Sequence, residues 1–366
     1  MASKLAQTRR PQAHCTEAPG QRRPRIVVAA AQPERLAGSA PWGAERRCAA
    51  VAAAAAAAGG VAGVRLSPEE KARHSRPPGW TAPGPPPAGP RGDPDLAPRP
   101  GESLSYLCGD WRIFQLEAGH RWSMDDHVTA VVALQEAAAA PRPVRHALDL
   151  GCGCGSVLMM VGWGLPEARC VGVEAQAISI GLARRSVRYN AGDSGRIAVL
   201  RGDLRDPLPP GVAPPGGFDL VTGTPPYVPL DCGGASARPQ KAPCNLETRG
   251  GVEGYVAAAA RALAPGGACV LVMGVQGQRR PDRVREAAAA HGMAVSRCVD
   301  VVPRAGKPVL MQVWVLRWGA DAAAAGPERR EEFVVRLADG ALAPDMHAAR
   351  AAIGMPPARS GAPPGL

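Results

Sequence analysis

Thr224-Pro225-Pro226-Tyr227 is the stretch whose residue types speak most directly of chemistry. Two consecutive prolines fix the backbone and remove two N–H donors, so the loop offers carbonyl oxygens without competing donors. An amino group on a base or an amide is a poor nucleophile, because its lone pair is delocalised. Two acceptors gripping its hydrogens pull the nitrogen toward a pyramidal, attacking geometry. This is positioning, and it needs no covalent nucleophile. Thr224 and the Pro225 carbonyl are the expected acceptors, and Tyr227 offers a face on which a flat substrate stacks. A proline-rich turn with an exposed tyrosine is the plainer reading. The loop's place at a strand end, opposite a glycine turn, argues against it.

That glycine turn is Leu148-Asp149-Leu150-Gly151-Cys152-Gly153-Cys154-Gly155, an apolar run breaking into alternating glycines. Glycine takes backbone conformations closed to other residues and lets a ligand approach the main chain. The amides at the following helix start favour polar or anionic groups. Gly151-x-Gly153 followed by Ser156 approximates a dinucleotide pattern, while Asp149 before Gly151-x-Gly153-x-Gly155 fits S-adenosylmethionine better. Either ligand would use Glu174, 19 residues beyond Gly155, to accept both ribose hydroxyls. Asp203 in Gly202-Asp203-Leu204 is placed to accept from an adenine amino group, with the Leu204 amide donating to the ring. Each acid alone reads as a cap or a turn residue. Together they mark the carboxyl ends of successive strands, where open α/β sheets hold their ligands.

The elements that must position these residues alternate. Strands are predicted at Cys170–Glu174, Ile197–Leu200, Phe218–Val221 and Ala268–Met273, with helices over Asp125–Ala140, Ile178–Tyr189, Val252–Leu263 and Arg279–Ala290. Val295–Val302 and Val309–Leu316 are then joined by six residues too few for a helix, so the last pair is antiparallel. The pattern predicts a doubly wound, seven-stranded, mostly parallel sheet closed by a C-terminal antiparallel hairpin. A late strand and helix are expected at Phe333–Leu337 and Pro344–Ile353.

Residues 1–100 carry 15 Lys+Arg against 7 Asp+Glu, a net of +8, so only +3 of the chain's +11 belongs to the remainder. The basicity therefore says little about what the site binds. This Arg-rich, acid-poor segment resembles an organelle transit peptide, chloroplast ahead of mitochondrion, and ends in a Pro/Gly linker over Arg76–Gly101. Residues 101–320 are the expected catalytic domain and 321–366 a mostly disordered tail. Ten cysteines occur without a CxxC pair, and the histidines are isolated, so no metal site is expected. No stretch reaches the ~18 apolar residues of a membrane helix. Arg279, Arg280, Arg283 and Arg285 read as a solvated face before a phosphate contact.

DLGCGCG, VGVE, GDLRD, FDLVTGTPPY and the LAPGG turn, in this order, resemble a class I S-adenosylmethionine-dependent methyltransferase with an Asn-Pro-Pro-Tyr-type loop. The segment Gly119–Asp126 and Glu247-Thr248-Arg249-Gly250-Gly251 are similar to bacterial tRNA(Val) adenine-N6 methyltransferase-like proteins. The resemblance implies a Rossmann-like fold, S-adenosylmethionine as cofactor and methyl transfer to an amino nitrogen, with adenine of tRNA or rRNA as partner. It implies that Asp149, Gly151, Gly153 and Gly155 contact the cofactor's methionine part, with Trp122 to Asp125 closing over it. Glu174 would hold the ribose, Asp203 and Leu204 the adenine, and Thr224, Pro225, Pro226 and Tyr227 the acceptor amine. Thr224 stands where that group carries Asn or Asp. A protein-glutamine or small-molecule acceptor, or a cofactor-binding scaffold, are the rival expectations.

Overall fold

The computed structural model describes residues 76–77, 79–229, 240–275 and 282–358. The predicted leader up to residue 75, and Arg279 and Arg280, lie outside the described residues.

A hairpin comes first, β1 (Glu102–Cys108) paired antiparallel with β2 (Trp111–Leu116). Helix α1 (Met124–Ala139) follows, then β3 (His146–Leu150), α2 (Ser156–Gly164), β4 (Arg169–Glu174), α3 (Ala177–Ala191) and β5 (Ile197–Arg201). β6 (Phe218–Gly223) leads to the short α4 (Ala242–Asn245), α5 (Val252–Ala262) and β7 (Leu263–Gly274). The chain ends in α6 (Arg283–Ala290), β8 (Met293–Val302), β9 (Met311–Trp318), α7 (Gly319–Ala324), β10 (Arg329–Val334) and α8 (Pro344–Ala352).

The main sheet runs β10-β8-β9-β7-β6-β3-β4-β5, parallel except for β9, which is antiparallel to both neighbours. A sheet buried on both faces needs apolar residues pointing both ways. β7 shows why its unbroken apolar run is a strand: Ala268, Val270 and Val272 enter one core, while Cys269, Leu271 and Met273 enter the other. The first core lies under α1, α2, α3 and the β1–β2 hairpin, the second under α5 and α6.

The doubly wound sheet and closing hairpin are as the sequence predicts, with four differences. The sheet has eight strands, not seven, because β10 pairs parallel to β8. Its sequence, Arg-Arg-Glu-Glu-Phe-Val, lacks a core pattern because it is a charged edge. No helix joins β5 to β6; five prolines between Pro207 and Pro215 exclude one. Pro265-Gly266-Gly267 lies within β7 as a register slip, since Phe218 pairs with Leu263 but Leu220 with Ala268. The tail expected to be mostly disordered forms α7, β10 and α8, with Met346, Ala349, Ile353 and Met355 buried.

The Pro/Gly stretch before β1 is also ordered where it is described. The Ala88 and Gly89 amides donate to the Asn190 and Tyr189 carbonyls at 2.9 Å, and Trp111 Nε1 donates to the Pro85 carbonyl at 3.0 Å. Arg185 on α3 is nearly buried, donating to both Glu102 oxygens at 2.7 and 2.8 Å and to the Asp95 and Ala97 carbonyls at 2.7 and 2.6 Å. Prolines and glycines hide this order from a sequence reading because the anchoring groups belong to α3.

Two devices hold α1, which carries residues of the site. At its start, Ser123 and Asp126 form a capping box, the Ser123 amide donating to Asp126 Oδ2 at 2.9 Å. Near its end, buried Glu136 accepts from Arg297 at 3.1 Å and Arg317 at 2.7 Å, tying the helix to β8 and β9. Removing either partner of such a buried pair costs about 3–5 kcal/mol, because a charge is left without its counter-charge.

Candidate active site

A cleft opens at the carboxyl ends of β3, β4, β5 and β6. Gly151, Gly153, Glu174, Asp203, Leu204, Thr224 and Pro226 line it, so the sequence-predicted residues from four separate strand ends do converge.

The glycine turn is built for close backbone approach. Gly151, Gly153 and Gly155 have φ of +61°, +54° and +87°, a region that L side chains rarely adopt. Gly151 is doubly constrained, since a Cβ there would collide with the Tyr255 hydroxyl. Gly155 caps α2 without lining the cleft. The Glu174 carboxylate is buried and braces the turn: Oε2 accepts from the Gly153 amide at 2.9 Å and Oε1 from the Gln176 amide at 2.6 Å. A carboxylate has about four acceptor positions, so two remain for ligand hydroxyls.

Asp149 takes a different part from the one expected. It is buried beneath the turn, accepting from Leu158 N at 3.1 Å and Thr222 Oγ1 at 2.8 Å, and it does not line the cleft. Burial pushes its carboxyl up to about 7 against those two hydrogen bonds. Asp149 therefore holds α2 and β6 together under the turn.

At the mouth of α1 the structure shifts the expectation by one residue. Asp125 accepts from the Ser123 hydroxyl and does not line the cleft. Asp126 does, and it is buried, accepting from Ser156 Oγ at 2.7 Å. Burial first, and the Asp125 charge second, push its carboxyl up to about 8. The capping-box spacing of Ser123 and Asp126 was the available signal: the box points the Asp126 side chain back over the helix start. His120 and Trp122 complete this wall, Trp122 being set by Nε1 donating to the Tyr106 carbonyl at 3.2 Å. Burial lowers the His120 pKa, which keeps the ring neutral.

Asp203 also lines the cleft, but Arg205 takes both its oxygens at 2.9 and 2.7 Å, and this pairing holds its carboxyl below the usual range. Opposite the glycine turn, Thr224 and Pro226 face the cleft, whereas Pro225 and Tyr227 are not among the lining residues. Tyr227 packs flat on the end of β7: a Cβ at Gly274 would stand 2.7 Å from its ring.

Three further residues escaped the sequence reading. Tyr255 on α5 lines the cleft and leaves room only for glycine at Gly151 and Gly223. Gln240 is buried, accepting from the His120 amide at 2.8 Å and donating to Ser179 Oγ at 3.3 Å, which joins the α1 approach to α3. Arg249 lines the opposite rim beside Asp203. Tyr255 and Gln240 lie far along the chain from the turn they serve, so no local pattern announces them, whereas Arg249 belongs to the Glu247–Gly251 segment that carries part of the resemblance without a role being assigned to it. Of the predicted basic run, Arg283 pairs with Glu247 and Glu253, and Arg285 with Glu328. Among the described residues, no cluster of three or more His, Cys, Asp or Glu could hold a metal ion, and no helix is long and apolar enough to cross a membrane.

In sequence the chain resembles methyltransferases. It is 30% identical over 130 residues to the release factor glutamine methyltransferase of Geobacter sulfurreducens, covering 35% of this chain and 43% of that protein. Over 83 residues it is 31% identical to the tRNA1(Val) (adenine(37)-N6)-methyltransferase of Porphyromonas gingivalis, covering 23% of this chain and 32% of the relative. The chain thus spans less than half the length of the curated relatives it matches. A crystal structure of a predicted O-methyltransferase from Agrobacterium tumefaciens superimposes with a TM-score of 0.42 at 22% identity, covering 63% of this chain and 98% of that one. No family model matches the chain.

Proposed function

We propose that the chain is an S-adenosylmethionine-dependent methyltransferase acting on an amino nitrogen, with the exocyclic amine of adenine in tRNA or rRNA as acceptor. The observation that carries this reading is the convergence on one cleft of the Glu174-braced glycine turn with Thr224 and Pro226 of the proline loop. The residues suit the cofactor. Gly151 and Gly153 present main chain with no side chain in the way, Glu174 keeps free acceptor positions, and Asp126 offers a carboxylate to a cationic ligand. When bound, S-adenosylmethionine supplies an electrophilic methyl group on a sulfonium.

The protein's own part is positional. Glu174 holds the ribose hydroxyls, and Leu204, which lines the cleft, would offer its amide to the base. Asp126, ionised, favours a cation at the α1 mouth and disfavours its neutral product. Thr224 Oγ1, on the cleft wall, accepts from one of the acceptor's N–H bonds, turning the nitrogen lone pair toward the methyl. After transfer the surplus proton on nitrogen leaves to water. The apolar cover of Tyr255, Trp122 and Pro226 keeps water from competing.

RNA is favoured over protein because Thr-Pro-Pro-Tyr is followed by the Glu247–Gly251 turn and preceded by the Gly119–Asp126 segment. Sequence similarity to a tRNA1(Val) (adenine(37)-N6)-methyltransferase over 83 residues supports the same reading. A predicted plastid or mitochondrial address is kept as part of the proposal. Incubating the full chain with unmodified tRNA and methyl-labelled S-adenosylmethionine, then digesting to nucleosides for mass spectrometry, tests it. Label in an N-methylated adenosine supports the reading; label confined to glutamine of an added release-factor peptide overturns the RNA acceptor.

A further inference from the structure

Arg249 is the one arginine among the described residues that lines the cleft, on its Asp203 side. Arg205 is committed to Asp203, and Arg261 donates to the Leu204 and Arg205 carbonyls at 2.8 and 3.2 Å. Among the described residues no hydrogen bond or ion pair engages Arg249, which is exposed and lines the cleft. Its charge acts on Asp203 only weakly, after the Arg205 contacts.

The turn that presents it is built. The Gly250 amide donates to the Glu247 carbonyl at 3.2 Å, and Gly250 has φ +95°. Arg283 then clamps the turn from below, donating to Glu247 at 2.7 and 3.2 Å and to Glu253 at 2.7 Å through both Nε and Nη2. Gly251 is required there, because a Cβ would collide with the Arg283 guanidinium and the Glu247 carboxylate. A clamp of two carboxylates and one arginine, about seven-eighths buried at Arg283 and Glu247, fixes the backbone that carries an unpaired arginine. Such an arginine is pre-positioned and has lost less freedom on meeting an anion than one on a loose loop.

The cofactor does not supply that anion here. In the proposed reading its single carboxylate would lie at the methionine end, towards the glycine turn, whereas Arg249 lies near Asp203, the residue assigned to the adenine end. We infer that Arg249 binds a phosphodiester of the nucleic-acid acceptor, holding the strand across the adenine end of the cleft while the target base enters at Thr224. The inference rests on the RNA reading of the preceding section. Arginine matches a phosphate with a planar fork of donors, which fixes the register of the strand without reading its sequence. A protein acceptor would offer a carboxylate at this distance only by chance of its own sequence.

The test is equilibrium binding of the full chain to bulk tRNA across a series of KCl concentrations, beside calorimetric titration with S-adenosylmethionine. Arg249→Ala weakens tRNA binding at low salt several-fold, up to about tenfold, and lowers the slope of log affinity against log salt by about 1. Arg249→Lys, which keeps the charge, keeps the slope. Cofactor affinity stays within about twofold in both, which also shows that the site remains folded. An unchanged tRNA slope in Arg249→Ala overturns the inference, and a loss of cofactor affinity with the slope intact makes Arg249 a cofactor contact instead. Loss of binding to a glutamine-bearing acidic peptide, with the tRNA slope intact, moves the anion to a protein and overturns it equally. A wild-type chain with no tRNA affinity at low salt overturns the RNA reading itself, before any variant is compared.

Discussion

The two walls of the cleft are furnished differently. On the glycine-turn wall the acids are buried and bonded: Glu174 to two amides, Asp126 to Ser156 and the Ser123 amide, Asp149 to Thr222 and the α2 backbone. Across the cleft Thr224 is half-buried, and at the rim near Asp203 the exposed Arg249 has no hydrogen bond or ion pair among the described residues. A wall whose acids are already fixed by the protein, with only the remaining Glu174 lone pairs left for a ligand, is pre-organised for a small cofactor of constant shape. A wall with unspent hydrogen-bonding capacity is what a large substrate, itself supplying the missing groups, would complete.

Substitutions should therefore separate the walls. The largest effect is expected at Gly151. Gly151→Val forces a β-branched residue to positive φ and against Tyr255, and should reduce S-adenosylmethionine affinity by more than about a hundredfold in calorimetry. Binding within a few-fold of wild type would show that the turn tolerates rearrangement. Next comes Thr224→Ala, which should lower kcat by roughly ten- to a hundredfold with cofactor Kd unchanged. Thr224→Asn, whose amide carbonyl reaches further, should raise kcat; a fall in cofactor affinity in either variant would break the separation of the walls.

Asp149 should act through stability. Asp149→Ala leaves the Leu158 amide without this side-chain acceptor and the Thr222 hydroxyl with only the Leu148 carbonyl at 3.4 Å, and should cost about 1–3 kcal/mol in denaturant unfolding. The smallest effects are in pH. The Asp149 carboxyl titrates at about 7 in the folded chain against 3.8 for the free group. The folded state thus keeps a proton that the unfolded chain has lost, and stability falls as pH rises from 3.8 toward about 7. Burial and the neighbouring Asp125 push the Asp126 carboxyl up, towards its protonated form. A cationic ligand draws the proton off, so S-adenosylmethionine affinity should rise several-fold up to about pH 8, with S-adenosylhomocysteine, its uncharged-sulfur product, responding less. Asp126→Asn should flatten that rise, and an unaltered profile would remove Asp126 from the cofactor's surroundings.

The same contrast decides how much was legible in the sequence. Glycines at positive φ and acids at strand ends are imposed by local geometry, so the placing of Gly151, Gly153, Glu174 and Asp203 around one cleft could be read from spacing alone. So could the doubly wound order and the reversed β9, from helix lengths and one short connection. Asp126 was missed by one position because the capping box, and not the strand pattern, aims its side chain. Tyr255, Gln240 and the Arg283 clamp were invisible because each acts on a partner brought near only by the folded sheet. β10 and the stretch before β1 were hidden for a compositional reason: charged edge strands and Pro/Gly segments look like loops until the surface that receives them is known.

The most direct test is calorimetric titration of the full chain with S-adenosylmethionine, for the wild type and for Glu174→Ala. The account predicts saturable binding by the wild type and its loss, by roughly a hundredfold or more, when the carboxylate that braces Gly153 and awaits the ribose is removed. Equal binding by both chains, or none by the wild type, would contradict it.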